Sequence, residues 1–170
     1  MSIPEQIDPN CLSDYLEVMT RAVFQASLSW KMIEKSWAAH IAAFKNFDPS
    51  LVACFSDEDI EELMKFEGII HNKKKIIATI KNARTMVELD KQYHGFQNYL
   101  RSKSSYEELS KDMRKRFSFL GELSIYYFLF RVKEPVPEFE KWISTIEGEH
   151  PRMREMVEAA RKNQSQNNVR

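Results

Sequence analysis

An all-helical fold is predicted for this 170-residue chain by three observations. Apolar residues recur every three or four positions through most of its length, the period of an amphipathic helix. Capping and stop residues punctuate those stretches at helix-sized intervals. No stretch carries the sustained apolar–polar alternation of a half-buried strand. The length fits one domain with a short appendage. Its hydrophobic fraction of 43% is enough to build a core.

Taken in order, residues 1–13 hold two prolines and little periodicity and read as a lead-in. A helix is expected from Asp14 to Gln25, opened by Asp14 and Glu17, with Tyr15, Val18, Met19, Ala22 and Val23 buried. Ser29 can cap a second helix from Trp30 to about Phe44. Asp48-Pro49 opens a short helix, because Asp caps and Pro fits a first turn. Residues 57–90 then read as helix, tight hairpin, helix. Ser56 and Asp59 have capping-box spacing. Gly68 marks the turn, where a positive φ costs least on glycine. Asn72 can cap the second arm, whose inner face is Ile76, Ile80, Ala83 and Val87. Short helices follow at 96–100 and from Ser105 through a basic end at Lys111, Arg114, Lys115 and Arg116. Residues 117–121 connect to a nearly all-apolar helix, Glu122 to Val132, expected at the centre. Pro135 and Pro137 mark a boundary. Two more helices are expected, Glu138 to Ile146 and Pro151 to Arg161, before a polar tail.

Lys73, Lys74 and Lys75 occupy the first turn of the second hairpin arm. Cations are unfavourable there, since the helix dipole already places positive charge at that end. An anion docked on the open N–H groups resolves the conflict. The cluster therefore reads either as a grip on a nucleic-acid phosphate or as a solvated αα-hairpin. The net charge is zero, so no global field draws the chain to nucleic acid and any binding is local. Cys11 and Cys54 lie far apart, which points to free thiols and a reducing compartment. No signal peptide or long apolar run is present, and a cytoplasmic, membrane-free location is expected. The histidines and cysteines show no zinc-ligand spacing, and neither metal nor cofactor is expected. Catalytic phosphate-loop, Ser-His-Asp and HExxH patterns do not occur.

Several spaced segments, in order, resemble the DNA-3-methyladenine glycosylase I family of helix-hairpin-helix repair enzymes. Gln25-Ala26-Ser27-Leu28-Ser29-Trp30 is close to its QAGLSW. Phe47-Asp48-Pro49 with Val52-Ala53 is similar to its FDP…VA, and Gly68-Ile69-Ile70-His71-Asn72 with Lys75-Ile76 to its GIIRNxxKI. Asn82-Ala83-Arg84 matches NAR, and Leu109-Ser110-Lys111 through Phe119-Leu120-Gly121 is similar to LSK…KKRGFKFVG. The resemblance covers about residues 14–132; residues 133–170 follow their own course. It implies a helical bundle that flips an alkylated purine from double-stranded DNA and hydrolyses its N-glycosidic bond, acting as a monomer. It places Trp30 and Gln25 at the base, and Gly68, Ile70, His71, Asn72, Lys73 and Lys74 at the DNA backbone. A core role is the alternative for Trp30.

The pattern is broken at the acid. The family's pocket glutamate falls on Ala22 here, and its YHDxEWG motif and zinc clasp have no counterpart. Glu122 is the substitute candidate, as a buried carboxyl of raised pKa in acid–base work; the alternative is a plain helix-start glutamate. Glu17 and Glu67 are weaker candidates. Three functions follow: a glycosylase of base excision repair, a DNA-binding relative without catalysis, or a protein-interaction module.

Overall fold

The computed structural model describes residues 6–26 and 28–148, together with positions 150, 151, 154, 158 and 162. Nine α-helices are described: α1 Leu12–Gln25, α2 Trp30–Ala43, α3 Pro49–Val52, α4 Asp57–Lys65, α5 Lys73–Gln92, α6 Phe96–Leu100, α7 Tyr106–Arg116, α8 Glu122–Arg131 and α9 Phe139–Ile143. No strand occurs among the described residues. The expected elements are present with small shifts of boundary. Helix α1 begins two residues early, behind Cys11, because Asp14 turns back to accept the Asn10 N–H at 2.9 Å instead of capping. Helix α9 is shorter than expected. Most of the helix expected over 151–161 lies outside the described residues.

Helix α1 is the hub. Its stripe of Leu16, Met19, Val23 and Phe24 is fully buried, and it packs against α8, α5 and α2. Helix α8 is buried almost all round, from Ile125 to Leu129, as its unbroken apolar run requires. Helices α1 and α2 run antiparallel in a definite register. Trp37 Nε1 donates to Glu17 at 3.0 Å, and one turn on, Arg21 pairs with Glu34. Packing on α5 comes from α3, α4 and α6. Its inner face is Ile76, Ile80, Ala83, Met86 and Leu89, with Val87 half-buried.

The α2–α3 link is a left-handed turn. Lys45, Asn46 and Phe47 have φ of 53°, 55° and 54°. This region costs non-glycine residues roughly 1–2 kcal/mol each. The return is the seating of Phe47, 1% exposed, in an aromatic stack with Trp37 at 5.3 Å and Phe44 at 5.7 Å. Burial of one such ring offsets about 1.5–3 kcal/mol, and the turn delivers Asp48 to cap α3 through the Ser50 N–H at 2.9 Å.

Both ends of the described chain close on α8. Ile7 N–H donates to the Arg131 carbonyl at 2.8 Å. Trp142 stacks on Tyr126 at 4.1 Å, and the Tyr126 hydroxyl donates to the Pro137 carbonyl at 2.9 Å. Among the described residues no helix is long and apolar enough to cross a membrane.

Candidate nucleic-acid interface and base corner

The hairpin joins α4 to α5 and is fixed from both sides. The Ser56–Asp59 capping box forms, and its hydrogen bonds from the Ser56 N–H and hydroxyl hold the Asp59 carboxyl below its usual pKa. Gly68 sits at φ +89°, and a Cβ there would stand 3.0 Å from the Ala39 Cβ. Both the backbone angle and the close approach to α2 demand glycine. Ile69 follows into the core.

His40 is the residue that pins the turn. It is fully buried on α2, stacked on Trp37 at 5.2 Å with Phe24 edge-on at 4.9 Å. Its Nδ1–H donates to the Ser36 carbonyl at 2.9 Å, which leaves Nε2 to accept the Ile70 N–H at 3.3 Å. This tautomer is neutral, and burial pulls the imidazole pKa down. The sequence expectation that Ile70 meets a phosphate is corrected for its amide, which faces inward.

Beyond it the chain opens outward. Asn72 caps α5, its Oδ1 accepting the Lys75 N–H at 3.1 Å. The N–H groups of His71, Lys73 and Lys74 have no protein partner among the described residues, and all three residues are exposed. The His71 ring is drawn to the end of α4, where Nε2 lies 2.7 Å from the Phe66 carbonyl. The expected lysine cluster is split three ways. Lys73 pairs with Glu61 across the hairpin at 2.7 Å, which raises its pKa and lowers that of Glu61. Lys74 is exposed, with no carboxylate within ion-pair distance among the described residues. Lys75 is buried, its ammonium donating to the Phe24 carbonyl at 3.2 Å, and burial lowers its pKa. The carbonyl end of α1 suits a cation. Recurrence of Lys75, Ala78, Thr79 and Asn82 at helical spacing is the sequence signal for that second buried stripe.

The Lys75 bond joins the hairpin to the base corner. Gln25 is the last residue of α1, next to Phe24. Both polar atoms of its side-chain amide are buried and have no partner among the described residues. The α1–α2 register set by Glu17–Trp37 and Arg21–Glu34 brings Gln25 level with the first turn of α2, which Trp30 opens. Ser29 caps that turn by accepting the Met32 N–H at 3.3 Å. The Trp30 side chain lies outside the described residues. Ala22, 3% exposed, faces the core, and its neighbour Arg21 lies over the Trp37 ring at 5.1 Å. No carboxylate occupies the Ala22 position, and the nearest acid along α2 is Glu34, one turn past Trp30.

Among the described residues no hydrogen bond or ion pair joins Glu122 to this corner. It is exposed in the first turn of α8 and accepts from Arg114 at 3.0 Å. The expectation of a buried carboxyl is therefore corrected: Glu122 meets the dipole of its helix and a surface arginine. Glu67 is exposed in the hairpin, and Glu17 is engaged by Trp37. A polar cleft of about 330 Å³ opens along α1, lined by Asp14, Glu17 and Arg21 together with Asn10 and Arg131. Among the described residues no group of three or more His, Cys, Asp or Glu could share a metal ion.

Asn82 and Arg84 were legible in the sequence only as part of a motif, and the structure gives each a contact. The Asn82 amide is clamped on both sides of Ser118, donating to its carbonyl at 3.0 Å and accepting its N–H at 2.7 Å. Arg84 donates to the carbonyls of Ala53 at 2.8 Å and Phe55 at 3.1 Å, tying α5 to the end of α3.

Comparison with known proteins agrees with this layout. Methyladenine glycosylase sequences match residues 12–132. DNA-3-methyladenine glycosylase 1 of Escherichia coli is 32% identical over 62% of this chain and 67% of its own. The DNA-3-methyladenine glycosylase of Haemophilus influenzae is 31% identical over 62% of this chain and 68% of its own. A solved 3-methyladenine DNA glycosylase I from Staphylococcus aureus superposes with a TM-score of 0.67 at 26% identity, covering 75% of this chain and 79% of that one. By that match over residues 12–132 and these identities, the chain belongs to the methyladenine glycosylase family.

Proposed function

We propose that this protein is a DNA glycosylase of base excision repair, which binds duplex DNA as a monomer and releases an alkylated purine. The observation that carries the reading is the junction at Lys75. One buried ammonium ties the first turn of α5 to the end of α1, so the backbone grip and the base corner are held as one unit. The open N–H groups of His71, Lys73 and Lys74, with the Lys74 charge, supply an anion site for a backbone phosphate. Gly68 and Asn72 shape that site without touching the anion through side chains. Trp30 and Gln25 take the flipped base, the ring by stacking and the amide by its open donor and acceptor.

The chemistry asked of the protein is modest. An N-alkylated purine carries positive charge and leaves readily once extracted, so holding it against an aromatic face supplies much of what is needed. This reading asks nothing of Glu122, which pairs with Arg114 at the surface. A second reading, a DNA-binding relative that does not cleave, is favoured by one observation: Ala22 is buried where the family pattern carries its glutamate.

Base release from methylated duplex DNA separates the two. Wild-type protein is expected to leave abasic sites, and Trp30→Ala to abolish them while preserving salt-dependent binding. Duplex binding with no base release selects the second reading. Absence of duplex binding at physiological salt overturns both.

A further inference from the structure

The turn that presents the open amides is held in register from inside. The N–H groups of Ile70, Asn72 and Lys75 are bonded inward, to His40 Nε2 at 3.3 Å, to the Ile70 carbonyl at 2.9 Å and to Asn72 Oδ1 at 3.1 Å. Those of His71, Lys73 and Lys74 lie between them and have no partner among the described residues. Two of the inward bonds stay within residues 70–75, and the third reaches α2. Ala39, the residue before His40, is also the side chain that Gly68 lies against. Residues 39 and 40 of α2 are therefore the platform on which the turn sits.

The bond to His40 exists in one protonation state only. Nδ1 faces the Ser36 carbonyl at 2.9 Å and carries hydrogen, so Nε2 accepts only while the ring is neutral. A second proton would set one N–H against another, that of Ile70. No charged neighbour stabilises that proton. The ring is packed against Trp37 and Phe24. Around it stand His71 on the hairpin, Arg21 of α1 over the Trp37 ring at 5.1 Å, and Lys75 of α5 at 6.0 Å from the Phe24 ring. No carboxylate lies within ion-pair distance of His40 among the described residues. Burial draws the His40 pKa down, partly offset by the Ser36 carbonyl and helped by His71.

The geometry points to His40 as the positioning residue of the phosphate grip and as its acid release: a proton taken up at Nε2 turns the acceptor of the Ile70 N–H into a donor, frees the turn and weakens the hold on duplex DNA. The inference rests on the phosphate-grip reading above. Once freed, the turn samples other arrangements, and affinity falls by the fraction of molecules in which the amides still converge. The direction is diagnostic. Phosphate contacts by themselves strengthen in acid, where a protein gains positive charge; this grip weakens. Linkage makes the effect reciprocal, so a bound duplex holds His40 neutral to lower pH.

The test follows binding of a rhodamine-labelled undamaged duplex by the full chain, from about pH 7.5 downward through the range in which near-ultraviolet circular dichroism stays native. His40→Phe keeps an aromatic ring in the stack but offers no acceptor, and should bind at least about fivefold more weakly than wild type at the starting pH. His40→Gln carries an acceptor that takes up no proton; it should bind more tightly than His40→Phe and lack the acid loss. The ratio of wild-type to His40→Gln affinity, from which His71 cancels, should fall by up to about tenfold per pH unit below the His40 midpoint. Ring-nitrogen NMR of the wild type should place that midpoint lower with duplex bound than without. Wild-type affinity in His40→Phe overturns the positioning role. A flat ratio over the native range, or a midpoint that the duplex leaves unmoved, overturns the acid release. If His40→Phe does not fold, the ratio and the midpoint decide without it. If these results fail while Lys74→Glu weakens binding, the phosphate grip stands and this inference alone falls. If the wild type does not bind the duplex at the starting pH, both fall.

Discussion

The hairpin and the base corner are held together by one lysine, yet they have met different fates. The hairpin keeps the features that the proposed phosphate grip needs. A glycine at φ +89° makes the bend, His40 holds it from below, Asn72 caps the arm, and open amides face outward. The base corner keeps its frame but not its acid. Where the family pattern has a carboxylate, Ala22 is packed into the core, and beside it Arg21 and Glu34 neutralise one another. A backbone grip depends on main-chain groups, so it survives side-chain change. A recognition pocket depends on individual side chains, and one substitution can empty it of charge.

The largest expected effect comes from trying to restore that charge. Ala22→Glu buries a carboxylate at a position 3% exposed. Burying a charge without a ready partner costs on the order of 3 kcal/mol or shifts its pKa upward. Urea unfolding should show the loss. A variant as stable as wild type would reveal room for an acid at position 22, and the contrast between the two regions would fail.

The second test acts on the hairpin through pH. Burial lowers the His40 pKa in the folded protein. The folded state therefore prefers neutral imidazole, and its contribution is complete above the unfolded value of about 6.5. As pH falls below that value the unfolded chain takes up a proton that folded His40 resists. Stability should then decline by up to about 1.4 kcal/mol per pH unit until the lowered folded pKa is reached. A His40→Leu variant should lack this slope. Equal slopes in both proteins would remove His40 as the pin of the turn.

The smallest effect is expected at Glu122. Its partner Arg114 and the carboxylate itself are both well exposed, and such pairs contribute roughly 0–1 kcal/mol. Glu122→Gln should leave base release unchanged and stability within about 0.5 kcal/mol. A collapse of base release in this variant would return Glu122 to the reaction.

Much of this was open to reading before any coordinates. The periodicity of α1, α5 and α8, the Ser56–Asp59 box, the Asn72 cap and the bend at Gly68 are local features, set by residues a few positions apart. The family likeness was carried by short motifs in order. The site was less legible, because burial is not a local property. Lys73, Lys74 and Lys75 look alike in sequence, yet one pairs across the hairpin, one faces out and one is buried. Glu122 looked like a candidate acid because its surroundings could not be seen.

The helices, their caps and the hairpin follow from local order in the chain, since each depends on the spacing of near neighbours. Packing settles which lysine is buried, that His40 holds Ile70 thirty residues away, and that Asn82 fixes the α7–α8 connector. Those contacts join residues far apart in sequence. Their existence depends on how the helices pack, which sets both the partners and the dielectric around each charged group.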